Sequence, residues 1–366
     1  MQTKIVIANT LKPVDDVRGY EKIAQSIAKT NKYQVNIIGN TGKKESDHPS
    51  IKFHEHDISR KNLFGRIVSR INIMQMIFRI NPSIIIVQTH ELLYVTVIHK
   101  LLRRSKIIYD VREDYKKNMQ YLSRWPYLLR LILAISIRTK ERLLTPFIDQ
   151  FWLAEKCYLY EINFPRKRSH VLENKALLID QSSLRSDGIH CLYTGTISEY
   201  GGIFLALDVY KKMKEHEPQA TLTIVGQCHD PKLLRDLNSF SETDKGIKLS
   251  ISENPVDHTE IVKHILKATL GIISYQSNPV NANKVPTKLY EYSLYRLPFL
   301  IQQETPWEEK GKRLGGAIPI DFENPNVSII IDQLKSREYF FHSNYPDGQT
   351  WNSQEGKISD YLNALL

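Results

Sequence analysis

Cysteine is scarce in this chain. The three present, Cys157, Cys191 and Cys228, show no paired spacing for a zinc site or a redox dithiol. No apolar run approaches the roughly 18 residues that would cross a bilayer, so membrane contact is expected only at the periphery. The opening MQTKIVIANT reads as a strand and not as a secretory leader, which predicts a cytoplasmic protein. Internal repeats and low-complexity tracts are missing. The first loop, LKPVDDVRGY, lacks the G-x-G-x-x-G of a dinucleotide pyrophosphate site and argues against NAD binding.

What is present fits two domains. The chain has 366 residues, 42% of them apolar, enough to furnish two cores. Its net charge of +10 is unevenly placed. Residues 60–144 hold 17 Lys and Arg against 5 Asp and Glu, a surplus of 12 that exceeds that of the whole chain. A basic patch of that size in one half predicts an anionic partner surface. The cations alternate with long aliphatics and form no aromatic stacking platform, so a membrane is favoured and no nucleic-acid partner is expected.

Strand and helix patterns alternate throughout. Residues 4–10 and 34–38 read as strands flanking a helix at 21–29, the mark of a parallel α/β sheet whose working loops follow the strand carboxyl ends. Strands at 84–87 and 106–109 end in Gln88-Thr89-His90 and in the polar cluster Asp110 to Tyr115, which belongs in a cleft or in a solvated loop. The segment 125–144, WPYLLRLILAISIRTKERLL, admits two readings: a helix buried in the core, or one lying in a lipid interface with its arginines snorkelling. A serine-containing run at 180–188 is the expected linker. Beyond it, strands at 190–193, 221–225, 248–251, 271–274 and 318–320 repeat the alternation, and residues 327–366 are helical in pattern.

The stretch 279–301, PVNANKVPTKLYEYSLYRLPFLI, carries the most chemistry. An asparagine-rich loop meets Pro286 and Thr287, a short helix follows, and residues 297–301 turn extended. Proline at a helix start leaves first-turn amides open to an anion, and Lys288 adds a full positive charge. Glu291, three residues on, shares that face and can accept from neighbouring ribose hydroxyls. The bland alternative is an exposed ion pair between the two.

Several segments together resemble a family. DDVRGYEKIAQSIAK with YQVNIIG, IIYDVREDY, YTGTISEYGGIFLALD, PTKLYEYSLYRLPFLI and GGAIPIDFENP are similar, in order, to the landmarks of the retaining GT-B glycosyltransferases of family 4. The resemblance implies an α/β GT-B fold: two Rossmann-like domains whose parallel sheets face each other across a cleft. Residues 1–180 would form the acceptor-side domain and 181–345 the nucleotide-sugar domain. Residues 346–366 would form a helix crossing back to the first domain. It implies that Glu291 holds the donor ribose, that Lys288 lies at the diphosphate or sugar, and that Gly195 and Thr196 pack against the phosphates, with Thr287, Tyr292 and Asn283 completing the donor site. Lys288, Arg112 and Glu113 would serve catalysis, and Asp16, Arg18 and His90 the acceptor side.

Three departures stand out. Where members often carry two glutamates separated by seven residues, the first of those positions here is Asn283; Arg112 replaces a histidine; and the basic pair that commonly follows the glycine turn is missing from TGTISEYGG. Lys288 and helix-terminal amides are left to meet the leaving group, helped by Arg112 or Arg18. No Asp-x-Asp occurs, so a metal-free site is expected, with no cofactor beyond the nucleotide-diphosphate sugar. The implied reaction is metal-independent, retaining sugar transfer to a cell-surface polysaccharide or lipid-linked glycan in a bacterial cell. The alternatives are a GT-B chain of little or no turnover serving as a membrane-associated assembly module, and a sugar-nucleotide epimerase.

Overall fold

The computed structural model describes residues 2–56, 63–123, 125–179, 185, 187–336, 341 and 348–365. Two compact units divide the chain: residues 1–174 with 351–366, and residues 175–350. Most of the expected linker at 180–188, and Tyr339 and Phe340 of the tail, lie outside the described residues.

The first unit is built on seven strands, β1 (Thr3–Pro13), β2 (Tyr33–Asn40), β3 (Ile51–Glu55), β4 (Ile84–Val87), β5 (Lys106–Val111), β6 (Gln150–Leu153) and β7 (Ser169–Val171). They lie in the order β3-β2-β1-β4-β5-β6-β7, all parallel. The central strands are apolar end to end, as expected of strands covered on both faces; every residue of β4 is fully buried. Strand β3 escapes a sequence reading because it is an edge strand with only Ile51 of its five residues buried.

The second unit holds six strands, β8 (His190–Thr196), β9 (Thr221–Gln227), β10 (Ile247–Ser252), β11 (Leu270–Ile273), β12 (Phe299–Gln302) and β13 (Ala317–Ile320). Their order is β10-β9-β8-β11-β12-β13, again all parallel. In both sheets the winding direction reverses beside the first strand, between β1 and β4 and between β8 and β11. Open α/β sheets bind ligands beyond the strand carboxyl ends at such switch points.

Helix starts not evident from hydrophobic periodicity are set by caps. Asp114 accepts from the Lys117 amide at 3.2 Å and starts the helix Tyr115–Tyr121. Asp230 accepts from Lys232 at 2.9 Å and, with Pro231 at the first helical position, starts the helix Pro231–Thr243. After β1 the chain enters a wide π-helical segment, Val17–Ala24, where Asp16 caps the Gly19 amide. The tail forms two helices, Val327–Ser336 and Asn352–Asn363, the latter part of the first unit. Its anchor is Trp351, 1% exposed, whose indole N–H donates to Ser26 Oγ at 2.9 Å.

The segment 125–144 becomes the helix Tyr127–Leu144, and the core reading of it does not hold. Its inward face is Ala134, Ile137, Arg138, Glu141 and Leu144, while Leu128, Ile132, Ile135 and Leu143 are exposed. No described helix is long and apolar enough to cross a membrane.

Candidate functional site

In the second unit the candidate donor site is assembled at the β8/β11 switch point. Tyr193, on β8, donates its hydroxyl to the Gly201 carbonyl at 2.8 Å and so ties down the turn that follows. Burial, with smaller contributions from Tyr275 and Tyr292, raises its pKa well above the usual tyrosine value and keeps that donor protonated. Gly202, at φ +75°, closes the turn and opens the helix Ile203–His216 without a side-chain cap. A Cβ at Gly202 would fall 1.8 Å from the Ser274 carbonyl oxygen, and Ser274 Oγ donates to the Gly202 carbonyl at 2.7 Å. Only glycine permits this approach of the turn to the end of β11.

The helix Thr287–Leu294 also begins without a side-chain cap, after Pro286. Lys288 on its first turn is 6% exposed, which rules out an exposed ion pair with Glu291. Its ammonium lies 4.3 Å from the centre of the Tyr193 ring and 4.8 Å from that of Tyr275, and it has no hydrogen-bond partner among the described residues. Gly195, at φ +98°, makes the room: a Cβ there would lie 3.0 Å from Lys288 Cε. A buried cation held by two ring faces and a glycine, with every donor proton unspent, has the chemistry to receive an anion.

Glu291 is oriented by a residue that the sequence did not single out. His258 Nε2 lies 3.1 Å from Glu291 Oε1, where a ring protonated at Nε2 donates to the carboxylate. His258 sits at the start of the helix His258–Lys267, behind the cap Asp257, which accepts from the Thr259 amide at 2.7 Å. The Asp-His-Thr-Glu run reads as a cap, and nothing in it points 33 residues onward to Glu291. Of the other expected donor residues, Thr287 is half-buried at its helix start, and Thr196 and Asn283 are exposed. Tyr292 is sealed in the core, its hydroxyl 2.9 Å from Thr194 Oγ1.

The first unit gathers Asp16, Arg18 and Arg112 at its own switch point. Arg18 pairs with Asp110 through Nη2 at 2.6 Å and Nε at 3.0 Å, both residues being buried. Arg112 pairs with Asp16 at 2.7 and 3.1 Å. Gln88 links the two pairs, donating to Asp110 Oδ2 at 3.0 Å and accepting from Arg112 at 3.4 Å. Burial alone would raise the Asp16 carboxyl, but the charge and hydrogen bonds of Arg112, with Lys12 and the Gly19 amide, bring it down to about 2. Asp110, Arg112 and Asp114 of the polar cluster at the end of β5 are therefore paired rather than solvated. Glu113 stands apart, exposed and accepting from Asn118.

His90 lines a separate cavity of about 360 Å³ in this unit, with Thr89, Tyr115, Met119, Leu122 and Ile137 among its walls. Burial foremost, then the positive charges of Lys140, Arg70 and Arg66, lowers the His90 pKa to about 3, so its neutral Nδ1 accepts from Lys140. Burial is also the main reason that Lys140 falls to about 8. Among the described residues no group of three or more His, Cys, Asp or Glu side chains could hold a metal ion.

No family model and no curated protein matches the sequence. Solved structures do match. Sucrose-phosphate synthase from Thermosynechococcus elongatus superposes with a TM-score of 0.65 at 11% identity, over 100% of this chain and 95% of that one. The catalytic domain of starch synthase IV from Arabidopsis thaliana, bound to ADP and acarbose, gives 0.64 at 10% identity over 99% of each chain. HepE from Anabaena, in complex with UDP and glucose, gives 0.59 at 11% identity over 100% of this chain and 98% of that one. The fold is GT-B. At these identities the likeness is one of architecture, and within the GT-B frame the chemistry must be argued from this chain's own residues.

Proposed function

We propose that this GT-B chain is a metal-independent, retaining glycosyltransferase that moves a sugar from a nucleotide-diphosphate donor to a glycan or lipid-linked acceptor. The observation that carries the reading is Lys288: a buried ammonium without a hydrogen-bond partner, beside two helix N-termini that lack side-chain caps. Such amides and a lysine are the groups that receive a diphosphate. Glu291, fixed by His258, supplies the acceptor oxygens for a ribose diol. HepE and starch synthase IV, bound to UDP and ADP, show that the fold takes such nucleotides in other proteins.

In the proposed step the bond between the anomeric carbon and the phosphate oxygen breaks, and its electron pair leaves with the diphosphate. Lys288 and the amides meet that charge as it grows. The acceptor oxygen forms the new bond to the same face of the anomeric carbon, and its proton passes to the departing phosphate, so no side-chain base is required. Asp16 and Arg112, half-buried over the buried Arg18–Asp110 pair and Gln88, offer a pre-ordered polar surface in the first unit that suits a polyhydroxylated acceptor. The test is titration of the purified protein with UDP, ADP and GDP by thermal shift. At least one nucleotide should raise the melting temperature, and Glu291→Ala should abolish the rise. An equal rise in wild type and variant would reject the site.

A further inference from the structure

The helix Tyr127–Leu144 is amphipathic in the inverse sense. Its buried side carries charge: Arg138 bridges Asp114 at 2.8 Å and Glu141 at 2.9 Å, and Glu141 accepts from the Tyr109 hydroxyl at 3.0 Å. Its outer side is the apolar stripe Leu128, Ile132, Ile135 and Leu143, each more than half exposed. The neighbouring helix Leu93–Arg103 presents a matching outer stripe, Tyr94, Ile98, Leu101 and Leu102, at i, i+4, i+7 and i+8 on one face. The two helices adjoin, with Lys140 Nζ 5.9 Å from the Tyr94 ring centre. Among the described residues, sixteen of the exposed large hydrophobics fall between Ile67 and Leu143 and five elsewhere, so this is one surface and not the usual scatter.

Charge decides what covers it. The helices Leu63–Ile80, Leu93–Arg103 and Tyr127–Leu144 together hold a single acidic residue, Glu141, and it is buried. Arg79, Arg103 and Arg142 are exposed on them. A twofold dimer would set this basic surface against itself. An anionic lipid surface matches both parts at once: headgroups for the arginines, the acyl boundary for the stripe, and the interface for Trp125 and Tyr127, both exposed.

We propose that the outer faces of the helices Leu93–Arg103 and Tyr127–Leu144 dock this protein on an anionic membrane, from which it draws a membrane-anchored acceptor. The statement about the acceptor rests on the transferase reading above; the docking does not. Ile137, from the helix Tyr127–Leu144, walls the His90 cavity together with Leu122, just before that helix, which gives the apolar part of such an acceptor a place to enter.

The experiment is co-sedimentation of the full chain with vesicles of phosphatidylcholine, with and without about one-third phosphatidylglycerol, at low and high salt. Wild type is expected in the pellet with the anionic vesicles only, and less so at high salt. Ile132→Ser with Ile135→Ser, and separately Arg103→Glu with Arg142→Glu, should each weaken partitioning by roughly tenfold or more. Nucleotide thermal shifts measured on the same samples should stay unchanged, which separates loss of docking from loss of the donor site or of the fold. Wild type that ignores anionic vesicles would overturn the proposal. So would a concentration-dependent dimer in sedimentation velocity that the serine variant dissociates while vesicle binding persists.

Discussion

Replacing Lys288 with methionine should move stability and ligand affinity in opposite directions. An ammonium taken out of water loses several kcal/mol of hydration. Two ring faces at 4.3 and 4.8 Å return about 0.5–2 kcal/mol each. With no hydrogen bond to close the difference, Lys288 is left costing the empty protein about 1–3 kcal/mol. Methionine has nearly the same reach and packs well against aromatic rings. For a unit of this size each kcal/mol is worth about 2–4 °C, so Lys288→Met should raise the melting temperature of the ligand-free protein by about 2–12 °C. The same change removes a charge-assisted hydrogen bond to phosphate worth about 1.5–3 kcal/mol, a rise in Kd of roughly 10–150-fold. Differential scanning fluorimetry of the empty protein and calorimetric titration with UDP read the two effects separately. A lower melting temperature with unchanged nucleotide affinity would show that Lys288 is a packing residue, and the donor-site argument would fall.

Other perturbations address neighbouring parts. Removing the His258 ring (His258→Ala) should weaken nucleotide binding roughly tenfold through loss of the orienting hydrogen bond, less than Glu291→Ala does; calorimetry on both variants gives the ranking. His90, near 6.5 when unfolded and about 3 in the fold, stabilises the protein fully above pH 6.5, and that stability is lost as pH falls from 6.5 toward 3. Asp16, about 2 in the fold against an ordinary 3.8, extends the loss below pH 3.8. Urea midpoints between pH 7 and 4 should drop in wild type and stay flatter in His90→Asn, and identical slopes would refute the assignment. Trp351→Ala should cost about 3–5 kcal/mol in the first unit, since it empties a buried indole site and frees Ser26, and limited proteolysis should then release the C-terminal helix.

The sheet was legible in the sequence wherever strands are buried on both sides, because parallel central strands such as Ile84–Val87 are written as uninterrupted aliphatics. Edge strand Ile51–Glu55 was not, having a single buried residue. The proline, the helix start and their spacing drew notice to Lys288 and Glu291 as candidates, but the cage of Tyr193 and Tyr275 and the support of His258 come from other elements and were not legible. The same limit hid Gln88 and Asp110. Their roles depend on strands β1, β4 and β5 lying side by side, so that residues 92 positions apart form one ion pair. The inverted helix Tyr127–Leu144 was ambiguous for a further reason: a periodic apolar stripe is the same string of letters whether it faces a core or a lipid.

Buried charge has opposite meanings in the two units, and the difference is measurable. Arg18 faces Asp110, Arg112 faces Asp16, and Arg138 faces Asp114 and Glu141, so each of these three guanidiniums of the first unit has its counter-charge in place. Removing one member of such a pair strands the other, and Asp110→Asn should therefore destabilise the first unit by about 3–5 kcal/mol without any ligand present. Lys288 has no counter-charge to strand, so neutralising it should stabilise. The sign of the stability change thus separates cations that hold the scaffold from one that, in the proposed function, receives a phosphate. If Asp110→Asn proved neutral in urea unfolding, the Arg18–Asp110 pair would carry no structural load, and Arg18 would have to be reconsidered as a second anion site.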